Sequence, residues 1–367
     1  MGVREGQLSS GDRARLWVRR LGLLAAGLIV ALLLLELGLR LAGVESRTPR
    51  WFDPAVGWRF HPDQVVNMRR GAKELGSATI DSEGYRAPAW APPHPSDGLA
   101  IACIGDSFTF GWAVGDDESW PARLQQELDG ALGAGRARVR NFGVPGWNTV
   151  NEERQYPLDV RRWHPSLVVI GFCLNDLQPE DRAPRFAQSP LLGMLRGTAL
   201  LVAFQQHVEP RFPWPWFAAP PEPPLLTALR REYGPREREI LAAPDGVGEP
   251  YWLRVDEALG RLVAEVRADG AIVVLAVFPG NMQVEMLRQA GVPAGGSFGA
   301  VARPQQHLAG VAAELRLPLL DLLPAFVALP EEPFQARDPG HPSAAAYAVA
   351  AREIHRFLRR EGWLPEP

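Results

Sequence analysis

The sequence predicts an α/β fold, a parallel sheet covered by helices on both faces, preceded by one N-terminal transmembrane helix. Three observations predict it. Runs 99–104, 167–172 and 271–278 are continuously apolar at strand length, the pattern of strands buried on both sides. Segments with apolar residues at helical spacing separate them. Residues 21–39 are almost all Leu, Ala, Gly, Val or Ile, broken only by Glu36.

At about 1.5 Å per residue the 21–39 run covers roughly the 30 Å hydrocarbon core, so residues 21–43 are read as a membrane anchor. A cleaved signal peptide would carry a shorter apolar run followed by small residues, whereas Arg40-Leu41-Ala42 puts a large cation where a small side chain is needed. Arg4, Arg13, Arg15, Arg19 and Arg20 precede the run, against Arg40, Arg47 and Arg50 after it. The positive-inside rule then places residues 1–20 in the cytoplasm and the bulk of the chain outside, as a single-pass protein of the inner membrane with a periplasmic domain. Glu36, near the outer end, can reach the headgroups.

Residues 44–97, with scattered Trp, Pro and charge, read as a stalk that lies against the main domain. Within it, Asp81 to Arg86 has turn chemistry at Glu83-Gly84 and receives no catalytic role. The main domain, 98–367, opens with the strand 99–104. Ser119 and Pro121 start an amphipathic helix to about Leu132. A strand at 136–141, a helix at 150–162 and the strand 167–172 follow. Seven prolines between Pro210 and Pro224 exclude a packed element, so 177–247 is an insertion, partly helical near 191–207. Strands at 271–278 and 317–320 complete the sheet. The last helix starts near His341 or Ser343 and runs to about Leu358, with Ala346, Ala350, Ile354, Phe357 and Leu358 on one face.

With 46% hydrophobic residues and a net charge of −3, the 367-residue chain has material for a large core and no basic field to hold nucleic acid. Cys103 and Cys173 both lie in apolar runs as small buried hydrophobes and build neither a disulfide framework nor a metal knuckle.

Gly105-Asp106-Ser107 leaves the first strand of this domain, at the sheet edge where α/β proteins bind ligands. Asp and Ser at such a turn also serve as helix caps, so the tripeptide alone has two readings. A serine nucleophile needs a base within hydrogen-bond reach and a third group to orient that base. Asp338 and His341, three residues apart, supply both; Asp321, at the end of another strand, is a rival carboxylate. An oxyanion needs fixed donors. Free backbone N–H groups at strand ends, the Asn175 side chain and Gly146, where no Cβ intervenes, are candidates. Gly143 is the alternative to Gly146. Asp106 and Asp176 are read as bonding turn amides near the site. His61, His94, His164, His207, His307 and His355 lack such a neighbourhood and are read as surface or packing residues. Trp214 and Trp216 can line a sugar or acyl site or simply pack down.

The blocks Gly105-Asp106-Ser107-Phe108-Thr109-Phe110-Gly111, the loop around Gly146, Gly171-Phe172-Cys173-Leu174-Asn175-Asp176 and Asp338-Pro339-Gly340-His341, in this order, resemble the SGNH (GDSL) hydrolase family over roughly 98–360. The resemblance implies a flavodoxin-like three-layer sandwich with strand order 2-1-3-4-5. It implies Ser107 as nucleophile, His341 as base and Asp338 as orienting acid, with the Ser107 amide, the Gly146 amide and the Asn175 side chain as oxyanion hole. It implies no metal and no organic cofactor. An α/β-hydrolase would instead require Gly-x-Ser-x-Gly, which Gly-Asp-Ser-Phe-Thr is not.

With an outward-facing anchored domain, the expected substrates are acyl esters, O-acetyl groups on extracytoplasmic polysaccharide among them, and the expected activity is that of a serine esterase. An O-acetyltransferase would use the same residues with a sugar hydroxyl in place of water. A third reading, an inactive glycan-binding or assembly component, does not need this set of residues.

Overall fold

The computed structural model describes residues 10–42, 49–70, 73–87, 98–177, 198–200, 249–291 and 299–365. They belong to two compact units, one made of Met1–Thr48 with Pro184–Ala219, the other of Pro49–Ala183 with Pro220–Pro367.

The first unit is dominated by helix α1 (Ser10–Leu41). Its segment Arg15–Leu41, with a mean hydropathy of 2.4, is long and apolar enough to cross a membrane, as a span or a signal anchor. Apolar side chains point outward along its length; Leu23 is 75% exposed. That is the arrangement expected where lipid is the solvent.

The second unit is built on a five-stranded parallel sheet. Its strands are β5 (Leu99–Gly105), β6 (Ala137–Asn141), β7 (Leu167–Phe172), β8 (Ile272–Val277) and β9 (Leu319–Asp321), in the order β6-β5-β7-β8-β9. Counted from β5, this is the 2-1-3-4-5 order implied by the family resemblance. Alternate residues of each strand enter different layers. Ile101, Cys103, Leu167 and Val169 join one apolar cluster, Ala102, Ile104, Val168 and Ile170 the other. The first layer is closed by α3 (Trp120–Leu132) and the C-terminal α9 (Ala344–Arg360), the second by α4 (Thr149–Leu158) and α5 (Glu249–Ala268). Each large apolar side chain removed from water this way contributes about 1.5–3 kcal/mol before chain entropy is counted. Helices α6 (Asn281–Gln289), α7 (Arg303–Leu315) and α8 (Leu323–Ala328) extend the two layers.

Two details refine the sequence reading. The expected helix 150–162 ends at Leu158, and a 3-10 turn, Val160–Trp163, follows; Pro157 lies in the last turn of α4, where a ring in place of an N–H weakens the ladder. Of the two starts expected for the last helix, His341 and Ser343, the structure takes Ser343. His341 lies in β11 (Asp338–Pro342), which pairs antiparallel with β10 (Phe334–Gln335), and Ser343 caps α9 by accepting the Ala346 N–H.

Before the sheet, Pro49–Ala87 forms two antiparallel hairpins, β1 (Arg50–Asp53) with β2 (Gly57–Phe60) and β3 (Gln64–Arg70) with β4 (Lys73–Ile80). Phe60, Val66, Met68, Ala78 and Ile80 make a small core of their own with Phe110. The Phe60 and Phe110 rings stack at 5.2 Å.

Candidate active site

Ser107 opens a one-turn helix, α2 (Ser107–Phe110), directly after β5. The turn is possible because glycines pair across the sheet end: Gly105 stands beside Gly171 of β7. A Cβ on Gly105 would fall 2.1 Å from Thr109 Oγ1, and one on Gly171 2.4 Å from the same atom. Both strands therefore admit α2 only as glycine. Asp106 caps α2, its Oδ1 accepting the Phe108 N–H at 2.8 Å.

The β10–β11 hairpin brings the other residues to this turn. His341 Nε2 lies 3.0 Å from Ser107 Oγ and His341 Nδ1 lies 2.9 Å from Asp338 Oδ2. Asp338 is buried and His341 half-buried. The Phe108 and Trp112 rings flank the imidazole at 5.8 and 6.2 Å, limiting its rotation. Serine, imidazole and carboxylate thus stand in the linear order a nucleophile, base and orienting group require.

Asp106 has a second task. Its Oδ2 accepts from Asn175 Nδ2 at 2.5 Å and lies 3.2 Å from Ser107 Oγ and 3.3 Å from Cys173 Sγ. The hydroxyl proton of Ser107 consequently has two acceptors, His341 and Asp106. Asn175, in the 3-10 turn Leu174–Leu177 after β7, is held beside Ser107 through this shared carboxylate. The Asn175 carbonyl oxygen also meets Cys173 Sγ. Asp176 fixes the turn from below by accepting the Cys173 N–H at 2.8 Å. Burial pushes the carboxyl groups of Asp176 and Glu152 well above the carboxylate range, and their proximity to Asp106 reinforces the shift.

The two glycine candidates have different surroundings. The Gly143 N–H is taken by Asn141 Oδ1 at 2.9 Å, and a Cβ there would lie 2.3 Å from the Phe110 nitrogen. Gly143 serves the close packing of α2. Gly146 sits exposed at the loop surface with φ +84°, beyond the reach of ordinary side chains. Asp321 drops out as a rival: it ends β9, three strands from β5, and caps α8 through the Leu323 N–H. Among the other histidines, His307 pairs with Asp256 at 3.0 Å and His355 with Glu127 at 3.6 Å. His94, His207, Trp214 and Trp216 lie outside the described residues. Among the described residues no cluster of His, Cys, Asp and Glu fits a metal.

The sequence reading passed over the bracing supplied by Pro49–Ala87. Arg86, almost fully buried, donates to the carbonyls of Phe110 at 3.0 Å and Val114 at 2.8 Å and pairs with Asp116 at 3.1 Å. It ties down the segment that carries Trp112 to the face of His341. From the first hairpin, Arg50 Nη1 holds the Pro145 carbonyl at 3.0 Å, and the Trp58 carbonyl accepts the Trp147 indole N–H at 2.8 Å, on either side of Gly146. Within 44–97, read as a stalk lying against the main domain, the sequence marks these contacts by nothing more than the presence of Arg50, Trp58 and Arg86.

Among solved structures, a catalytic mutant of Axe2, an acetylxylan esterase from Geobacillus stearothermophilus, is similar at 20% identity and a TM-score of 0.42, covering 75% of this chain and 100% of that one. A lipase/acylhydrolase from Enterococcus faecalis is 17% identical with a TM-score of 0.41, covering 72% and 96%. The psychrotrophic esterase EstA from a Pseudoalteromonas species is 13% identical with a TM-score of 0.38, covering 71% and 97%. No curated protein matches. The profile of the GDSL-like lipase/acylhydrolase family matches residues 103–349, from within β5 into α9 and across every block of the site. The chain therefore belongs to the GDSL-like lipase/acylhydrolase family and is an ester-hydrolysing enzyme.

Proposed function

We propose that this chain is a membrane-anchored serine esterase that removes O-acyl groups, acetyl among them, from extracytoplasmic carbohydrate. The observation that carries the chemistry is the continuous relay Ser107 Oγ, His341 Nε2, His341 Nδ1, Asp338 Oδ2, with gaps of 3.0 and 2.9 Å. In this reading Ser107 Oγ attacks the acyl carbonyl carbon as His341 takes its proton. Asp338 holds the Nδ1–H and stabilises the imidazolium. The oxyanion forms against the N–H groups of Ser107 and Gly146 and the Asn175 amide, which exchanges Asp106 for the substrate oxygen. Collapse expels the alcohol, protonated by His341, and leaves an acyl-serine. Water, activated by the same imidazole, then releases the acid. The placement outside the cell rests on the arginine asymmetry around α1, and the preference for carbohydrate esters on that placement.

The test is turnover of a small aryl acetate by the full chain in detergent, beside Ser107→Ala and His341→Ala. Activity unaffected by Ser107→Ala overturns the relay. An acetylated oligosaccharide then serves as substrate and an unacetylated one as acceptor; acceptor acylation faster than hydrolysis assigns the chain to O-acyl transfer instead. An enzyme active on aryl acetate that releases no acetate from any oligosaccharide overturns the carbohydrate assignment.

A further inference from the structure

Glu36 is an anomaly in α1. It places a carboxylate in an apolar helix five residues before the helix ends at Leu41, about 8 Å along the axis. Its side chain is 17% exposed, while Leu35 and Leu37 on either side are 49% and 53% exposed. What covers it is another part of the chain. The backbone N–H groups of Ala199 and Leu200 donate to its two oxygens at 3.0 and 2.9 Å, and Arg40 Nε lies 2.6 Å from Oε1. Ala199 is fully buried.

In sequence, Ala199 and Leu200 lie in a run from Pro190 to Phe204 whose one charged residue is Arg196. Fifteen residues fall short of the roughly 20 needed to span a bilayer. Two costs then cancel. A carboxylate at membrane depth needs partners, and so does every backbone N–H with no carbonyl to meet. Glu36 and the Ala199-Leu200 amides satisfy each other.

We propose that Glu36 is a docking residue that holds the insertion segment around Ala199 in the outer face of the bilayer, so that the chain meets lipid through two elements rather than one. The segment lies 24 residues beyond Asn175 in sequence. The proposal rests on reading α1 as a membrane span.

The test uses the full chain in phosphatidylcholine vesicles. An environment-sensitive fluorophore is attached at Leu200→Cys; native Cys103 and Cys173 are buried and stay unlabelled. A label at Leu35→Cys is the lipid reference and one at Glu361→Cys the aqueous reference. At position 200 the expected result is the blue-shifted emission and doxyl-lipid quenching of the lipid reference. Glu36→Leu abolishes both, and Glu36→Gln, whose amide oxygen still accepts, retains them. Aryl acetate turnover stays unchanged in Glu36→Leu, which shows that the catalytic unit is folded. Iodide quenching of the position-200 label equal to the aqueous reference overturns the proposal, as does a label indifferent to Glu36→Leu. Vesicle flotation separates the two readings: a chain that does not float overturns the anchor and the docking together, and a floating chain with an iodide-quenched label overturns the docking alone.

Discussion

Two regions hold Ser107, and they do so by different physics. The end of the β5–β7 pair works by exclusion: Gly105, Gly171 and Gly143 leave space that only α2 can fill, and apolar layers on both sides lock the strands. The hairpin segment Pro49–Ala87 works by polar attachment, with Arg86, Arg50 and the Trp58 carbonyl reaching carbonyls and an indole around the site. Packing defines where a backbone can run. Hydrogen bonds from outside hold the loops that packing leaves free, and their loss is felt first as stability.

The largest effect is expected where the relay itself is cut. Ser107→Ala and His341→Ala should lower aryl ester turnover by about 10²- to 10⁴-fold with the fold intact by circular dichroism. Next comes Arg86→Met, which takes the guanidinium from the Phe110, Gly111 and Val114 carbonyls, while Asp116 keeps the Thr79 N–H and hydroxyl. Urea titration should show a loss of about 1 to 3 kcal/mol, the scale of buried acceptors left unsatisfied, with turnover per folded molecule changed far less than by Ser107→Ala. If Arg86→Met instead removes turnover without destabilising the fold, the division between packing and bracing fails. Gly143→Ala, by forcing a Cβ against the Phe110 nitrogen, should move α2 and reduce turnover by about 10²-fold, the scale of a displacement near 1 Å. A fully active Gly143→Ala would show that α2 is placed by its cap alone.

The smallest effect lies away from both regions and calibrates them. Burial raises the Asp321 carboxyl from 3.8 to about 6. The native state therefore binds the proton more tightly than the unfolded chain, so this residue's contribution is most favourable below 3.8 and is lost as pH rises towards 6. Asp321→Asn should abolish that slope in a stability profile across this window while leaving turnover unchanged, as befits a carboxylate three strands from Ser107. A turnover loss on the scale of Ser107→Ala would return Asp321 to the site.

The site was legible where chemistry and burial leave local marks. The serine after an apolar run, the amide closing the third block and the acid–base pair near the C-terminus are each readable within a few residues, because strand ends and caps are local structures. The setting of His341 was not: Asp338-Pro339-Gly340-His341 resembles a helix entrance, and only the partner strand Phe334–Gln335 makes it a hairpin. Asp106 was readable as a cap through Phe108, but its hold on Asn175 joins residues 69 apart and leaves no local trace.

Hydrophobic periodicity and turn chemistry, which act over a few residues, were enough to specify the sheet, its helical layers and the apolar N-terminal helix, and to mark Ser107, Asn175, Asp338 and His341 as candidates. The acceptor that takes up the Gly143 N–H, the distance of Asp321 from Ser107 across the sheet and the particular bonds by which Pro49–Ala87 braces the Ser107 turn required the folded chain. Each depends on which distant backbone group a donor meets, and that is settled by packing between segments rather than within them.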